Sequence, residues 1–286
     1  MNLIKITDIN APEMDVFARA TERELRTSDA YPEGMFLAES ANVILRAIEA
    51  GYEPLSMLVE EGRLEPEAGP VLEAIDKYFG KEKLDSIPVY IAERDIVINL
   101  TGHTLVRGLW MALGRKPSVS VEDFCKDKKR IAVLMDVVNP VNVGAIFRSA
   151  AALGMDGVLL THPSVDPLTR RTARVSMGTV FQIPWAQASS DDPEGTGLIR
   201  LLNSFGYKTV AMALNDKAIR LDNERLKQEG RLAIIMGTEG DGLPAETIAA
   251  ADYVVIIPMA HGVDSLNVAA ASAVAFWELR FIDKSE

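Results

Sequence analysis

One cysteine, Cys125, and three histidines, His103, His162 and His261, are all the thiol and imidazole chemistry that 286 residues contain. A single cysteine excludes an intramolecular disulfide and a cysteine-rich metal site. The histidines lie far apart and follow neither HxxxH nor HExxH spacing, so no metal is expected. No apolar run approaches the roughly 18–20 residues that cross a bilayer. The opening MNLIKITDINAPEMD is acidic and lacks the long apolar core of a secretory signal. These absences predict a cytoplasmic protein with no membrane partner. Positive charge is also scarce: 30 Lys and Arg against 41 Asp and Glu give a net charge of −11. Taken alone, that argues against a nucleic-acid partner, because phosphate contacts need basic side chains. Net charge does not report local patches, however. Two basic clusters stand out, KDKKR at 126–130 and LTRRTAR at 168–174.

Hydrophobic residues make up 48% and charged residues 25%, which suits an ordinary globular chain of one large or two modest domains. A division is expected at 117–128, between residues 1–116 and 129–286. The first part carries 13 Lys and Arg against 20 Asp and Glu, a net −7. It reads as a small α/β domain, with helical spacing over 13–26. Strands are expected at MFLAE (35–39), PLSMLVEE and PVYIAE, and a helix from Ser40 as cap to Gly51. The second part alternates short apolar runs, at 131–138, 157–160, 208–214, 232–237 and 253–257, with helix-like segments. Strands apolar on both faces and alternating with helices predict a covered parallel sheet. Ligands of such sheets sit beyond the carboxyl ends of the strands, so the loops that follow them are where chemistry is expected.

Three of those loops are unusual. In NPVNVGAIFRSA, Asn142 reads as the cap of a helix and Gly144 allows close approach; Arg148, six residues on, is either an ion-pair partner or an anion ligand. In IIMGTEGDGL, three glycines surround Glu239, in neither a GxGxxG nor a P-loop spacing. In IPMAHGVDSLNVAAASA, Asp264 or Ser265 suits a helix cap, whereas Asn267 answers no evident structural need. The alanines after it form a smooth face for another helix.

Together and in this order, these stretches resemble the three motifs of the SpoU (TrmH) family of S-adenosylmethionine-dependent RNA ribose 2′-O-methyltransferases, over about 130–280. More weakly, 35–60 resembles the ribosomal-protein-like RNA-binding domain that precedes the catalytic domain in many members. The resemblance implies a C-terminal trefoil knot, a homodimer with the active site near its interface, S-adenosylmethionine as cofactor, and a ribosomal or transfer RNA substrate, not DNA. It places functional roles on Asn142, Arg148, Glu239, Ser265 and Asn267. Cofactor contacts fall on Gly237, Thr238, Ile257, Met259 and Leu266. For Arg148 it implies a base, and chemistry leaves a second role open: holding a phosphate and the developing oxyanion. One departure stands out, His261 where members commonly carry glycine, with Gly262 beside it. RNA contacts are expected at Arg170, Arg171 and Arg174, and more weakly at Lys126, Lys128, Lys129 and Arg130. The competing class is a non-catalytic RNA-binding or ribosome-assembly module that retains the fold.

Overall fold

The apolar runs become strands because their Val, Ile, Leu and Met side chains are covered on both faces. In the computed structural model, residues 2–8, 10–28, 31–101, 108–189, 191–192 and 194–281 are described. They fall into two compact units, 1–117 with 168–182, and 118–167 with 183–286.

The first unit holds β1 (Asn2–Ile6), β2 (Met35–Glu39), β3 (Pro54–Glu60), β4 (Pro88–Ala92) and β5 (Leu109–Gly114) in the order β1-β4-β3-β5-β2. β5 runs antiparallel to both neighbours, while β1, β3 and β4 are parallel. The three expected strands are present; β1 and β5 are additions. The stretch 13–26 is not one helix. It breaks into short pieces, because Thr21 starts anew at Glu22–Arg26 with a reciprocal cap: its hydroxyl accepts from Glu24 N, and Glu24 accepts from Thr21 N at 2.7 Å. Ser40 stands at the start of the Ala41–Glu49 helix, but its hydroxyl caps nothing; its φ of 79° turns it away.

The second unit contains β6 (Arg130–Leu134), β7 (Gly157–Leu160), β8 (Trp185–Gln187), β9 (Lys208–Met212), β10 (Ile219–Arg220), β11 (Leu232–Met236) and β12 (Tyr253–Ile256). All seven are parallel, in the order β10-β12-β9-β11-β6-β7-β8. The five expected strands are there; β8 and β10 are too short to show as apolar runs.

Two domain expectations need correction. Within 117–128, expected as a linker, Ser120 caps a Val121–Cys125 helix whose Phe124 and Cys125 are buried in the second unit's core. And 168–182 belongs to the first unit, where Phe181 packs on Phe36 and Tyr52 with ring centroids 5.6 and 5.3 Å apart.

Candidate active site

The carboxyl ends of β9, β11 and β12 frame a cleft of about 640 Å³, within the usual range for small-molecule sites. β11 ends at Met236, and the glycine-rich loop turns back on itself through a Thr238–Gly242 bridge. Gly240 and Gly242 have φ of 93° and 73°, a region that only glycine enters freely. Gly237 serves differently from expectation. A Cβ there would meet the backbone of Gly242 at 2.5 Å, so its first constraint is the loop's own return. After β12 the chain makes a tight turn, Val263 N donating to Ala260 O at 3.2 Å, with His261 and Gly262 at φ 58° and 71°. Two successive positive φ values are the mark of a type I′ turn, and histidine is among the side chains that tolerate them.

Asn267 ties three loops together. It caps the Val268–Leu279 helix, its Oδ1 accepting from Ala269 N at 2.9 Å. Its Nδ2 donates to Asn142 Oδ1 at 3.2 Å and to Glu239 Oε1 at 2.5 Å. Asp264 and Ser265 do not cap, which corrects the sequence reading. Nor does Asn142: the Pro140–Ala152 helix is capped by Asn139, whose side chain accepts from Val141 N at 2.9 Å. Asn142 instead lies in the first turn, 5% exposed, with its Nδ2 buried and unpartnered. A buried donor without an acceptor costs on the order of 1–3 kcal/mol. It is an open hydrogen-bond position beside two residues that line the cleft.

Glu239, Ser265, Asn267 and all five expected cofactor residues, Gly237, Thr238, Ile257, Met259 and Leu266, line the cleft. Arg148 does not. It is exposed and has no hydrogen-bond or ion-pair partner among the described residues. Six residues along a helix rotate a side chain to about 120° from the start, so Asn142 and Arg148 face different ways. The reading of Arg148 as a buried ion-pair partner is thereby excluded. The sequence reading assigns no site role to Leu214, Asp241 or Asp264. All three line the cleft, and Leu214 is 67% exposed. Leu214 carries no motif; its only signal is its place just after β9.

The basic clusters divide. Arg130 is 1% exposed and donates to the carbonyls of Leu279, Glu229, Gly230 and Lys129, so it is scaffold and not an RNA contact. Lys126 pairs with Asp123, and Lys128 and Lys129 lie over the rings of Phe124 and Phe281. Arg170, Arg171 and Arg174 sit together on the Arg170–Val175 helix of the first unit. Among the described residues, no group of three or more His, Cys, Asp or Glu is placed to hold a metal, and no helix is long and apolar enough to span a membrane.

Comparison with known proteins gives this arrangement a family. The chain is 33% identical to an uncharacterized tRNA/rRNA methyltransferase of Mycobacterium tuberculosis over 96% of its own length and 90% of the other. It superposes on the crystal structure of an RNA 2′-O ribose methyltransferase with a TM-score of 0.76 and 29% identity, covering 96% of this chain and 98% of that one. The fold is shared with an AdoMet-bound rRNA methyltransferase of Sinorhizobium meliloti, at a TM-score of 0.79 and 24% identity over 97% of both chains. The model of the SpoU rRNA Methylase family matches residues 129–277, more than half of the chain and the whole stretch that builds the cleft, and the chain belongs to that family.

Proposed function

We propose that the protein transfers the methyl group of S-adenosylmethionine to a ribose 2′-hydroxyl of structured RNA, ribosomal RNA before transfer RNA, in the cytoplasm. The observation that carries this reading is the bonded set Asn142–Asn267–Glu239, which joins Asn142, in the helix that follows β6, to two residues lining the cleft from the loops after β11 and β12.

The cleft suits the cofactor. Leu214, Ile257 and Leu266 offer apolar wall to an adenine, and the glycine-rich loop offers backbone polar groups at close approach. Glu239, Asp241 and Asp264 bring carboxylates to a cavity that would hold a cationic sulfonium. When bound, that group supplies an already activated methyl, and the chemistry calls for no metal. The protein's task is orientation and charge. Asn142 Nδ2 is the free donor for a ribose or phosphate oxygen, held in place by Asn267. Glu239 fixes Asn267, and Ser265 shapes the loop. Arg148 presents a planar fork of donors. We assign it to the substrate phosphate and the developing alkoxide, where one well-placed donor is worth about 10²–10³ in rate.

Arg148 must then reach a cleft that its own chain does not bring to it. A homodimer resolves this. On the Val268–Leu279 helix and just beyond, Ala270, Val274, Trp277 and Phe281 are exposed at spacings of four, three and four residues. Trp277 at 57% and Val274 at 43% form an exposed apolar stripe of the kind that marks a protein interface. That helix packs on Pro140–Ala152, which also exposes Val141, on the same face as Arg148. We read this surface as the dimer seam and Arg148 as serving the partner's cleft. The passage 257–267 leaves β12, beyond β9, and reaches the helix that follows β6. Such a route supports the trefoil knot, as the first unit's sheet supports an RNA-binding domain.

The test is single-turnover methylation of ribosomal and transfer RNA with labelled cofactor. Label on a 2′-oxygen is expected. Tight cofactor binding with no transfer to any RNA would sink the assignment.

A further inference from the structure

The arginines of the Arg170–Val175 helix are not loose surface charge. Arg170 holds its guanidinium over the Trp110 ring, 5.6 Å from the centroid. Arg174 Nη1 donates to both oxygens of Glu39, at 3.2 and 3.3 Å. Glu39 is the last residue of β2 and its side chain is 9% exposed, whereas that of Arg174 is 56% exposed. One nitrogen of the Arg174 fork is therefore fixed against a nearly buried carboxylate, on a side chain that is otherwise largely exposed. Glu39 and Trp110 are register partners across β2 and β5, so both anchors come from one spot on the first unit's sheet.

The surroundings hold this spot firmly. Arg46 Nη1 donates to Met177 O at 2.6 Å just past the helix, and Glu22 accepts from Arg170 N at 2.9 Å at its start. Ser40, next to Glu39, has φ 79° and ψ 144°, a conformation that costs a residue with a side chain, and its hydroxyl is buried and unpartnered. Such strain persists only where the neighbouring contacts dictate it. The first unit carries 16 Lys and Arg against 20 Asp and Glu, a net −4. The unit's overall charge therefore does not attract an anion, and one held here is held by the neighbouring, oriented arginines. Arg170 and Arg174 are i and i+4, and Arg171 and Arg174 are i and i+3, so their free donors share one surface.

We propose that Arg170, Arg171 and Arg174 form a pre-organised clamp for RNA phosphates, with Glu39 and Trp110 as the residues that position Arg174 and Arg170. The proposal rests on the reading of RNA as substrate and deepens it. A fork with one nitrogen already held loses less freedom on binding than a free arginine does, which is the benefit of pre-organisation. RNA is the favoured partner because repeated phosphates match three neighbouring forks; binding of an acidic protein in its place is an outcome the test separates.

Two accounts of Glu39 predict opposite signs. If it is only a nearby negative charge, Glu39→Gln removes repulsion and strengthens RNA binding. If it positions Arg174, Glu39→Gln weakens binding. The full-length protein is titrated against a labelled RNA hairpin by anisotropy over a range of salt, beside calorimetry with S-adenosylmethionine and a thermal melt. Arg171→Ala and Arg174→Ala are each expected to flatten the salt slope by about 0.7–0.9. Glu39→Gln should weaken binding several-fold in the wild-type background and not at all beside Arg174→Ala. Arg174→Lys, which keeps the charge at an exposed position and loses the fork, should bind RNA as poorly as Arg174→Ala. It keeps the proposal testable if Glu39→Gln does not fold. Cofactor affinity should not change in any of them. The clamp is refuted if Glu39→Gln binds as well as or better than wild type, if Arg174→Lys behaves as wild type, or if an acidic peptide competes as well as RNA. A wild-type protein that binds cofactor but no RNA would instead overturn the substrate reading beneath it.

Discussion

Asn267 does two things with one amide. Its oxygen caps a helix, and its nitrogen joins Asn142 to Glu239. The two can be separated by substitution. Asn267→Asp keeps the capping oxygen but replaces the donor with a second carboxylate facing Glu239. Asn267→Ala removes both. We expect Asn267→Ala to lower stability by about 1 kcal/mol through the lost cap, and Asn267→Asp to keep most of that stability while losing activity. Equal melting temperatures in the two variants would refute the division of roles. Gly237 is also constrained more tightly than a ligand-facing glycine would be. Even Gly237→Ala pushes a Cβ into the Gly242 backbone, so cofactor affinity should fall already at alanine, and Gly237→Val should destabilise the loop itself. Calorimetry that finds alanine harmless would return the constraint to the ligand. At this scale the sequence was legible in identity and not in role. Asp264, Ser265 and Asn267 are all good capping residues within four positions, and only the backbone path decides which amide or hydroxyl meets a free N–H.

Strands were most legible where their apolar side chains are buried on both faces, as in β6, β7 and β11. β10, with two residues, leaves no run to read. β5 did leave one, LWMALG, all six residues buried, but it stands just before 117–128, where the sequence predicts a linker and no further strand. The Pro140–Ala152 helix shows what a motif hides. Asn142 and Arg148 are close in sequence, yet helical geometry sends them to different faces. Arg148→Ala should leave the melting temperature nearly unchanged, within about 0.5 kcal/mol, as expected for an exposed unpaired side chain. Single-turnover methylation should fall by at least ~10²-fold. A variant that melts far below wild type would mean the arginine supports the fold. The turn into β12 offers a pH test. Burial pushes the Asp252 carboxyl up, but hydrogen bonds from Lys208 and from Thr209 N and Oγ outweigh this and hold it below the usual carboxylate range. A lowered folded pKa contributes stability above the ordinary value near ~3.9 that is lost as pH falls through the folded one. Asp252→Asn should therefore cost stability in urea at neutral pH and progressively less below about pH 4. A cost that does not change with pH would assign the effect to shape.

The largest scale is the least legible in a single sequence, because a dimer seam is written in exposed side chains that resemble any surface until the fold aligns them. The alanines after Asn267 single out the helix proposed here for the seam, but Ala271 lines the cleft and the exposed stripe runs through Val274 and Trp277. Trp277→Glu should accordingly yield a monomer by light scattering, whereas Ala271→Arg would block the cofactor. A monomer formed by wild type at micromolar concentration would refute the seam. If it holds, each site draws Asn142, Glu239 and Asn267 from one chain and Arg148 from the other, and two defective chains can repair one another. Arg148→Ala leaves a chain with an intact cleft; Asn142→Ala leaves a chain with an intact arginine. Each homodimer has two incomplete sites and should be nearly inactive. In the mixed dimer, one site joins the intact cleft to the intact arginine, and the other carries both defects. Random pairing of equal amounts makes about half the dimers mixed, each with one working site of two, so co-expressed chains should recover about a quarter of wild-type activity. Adding Trp277→Glu to both chains should abolish the recovery. If Arg148 instead acts within its own chain, mixing recovers nothing, and the exposed arginine must reach its own cleft by a rearrangement of the Pro140–Ala152 helix.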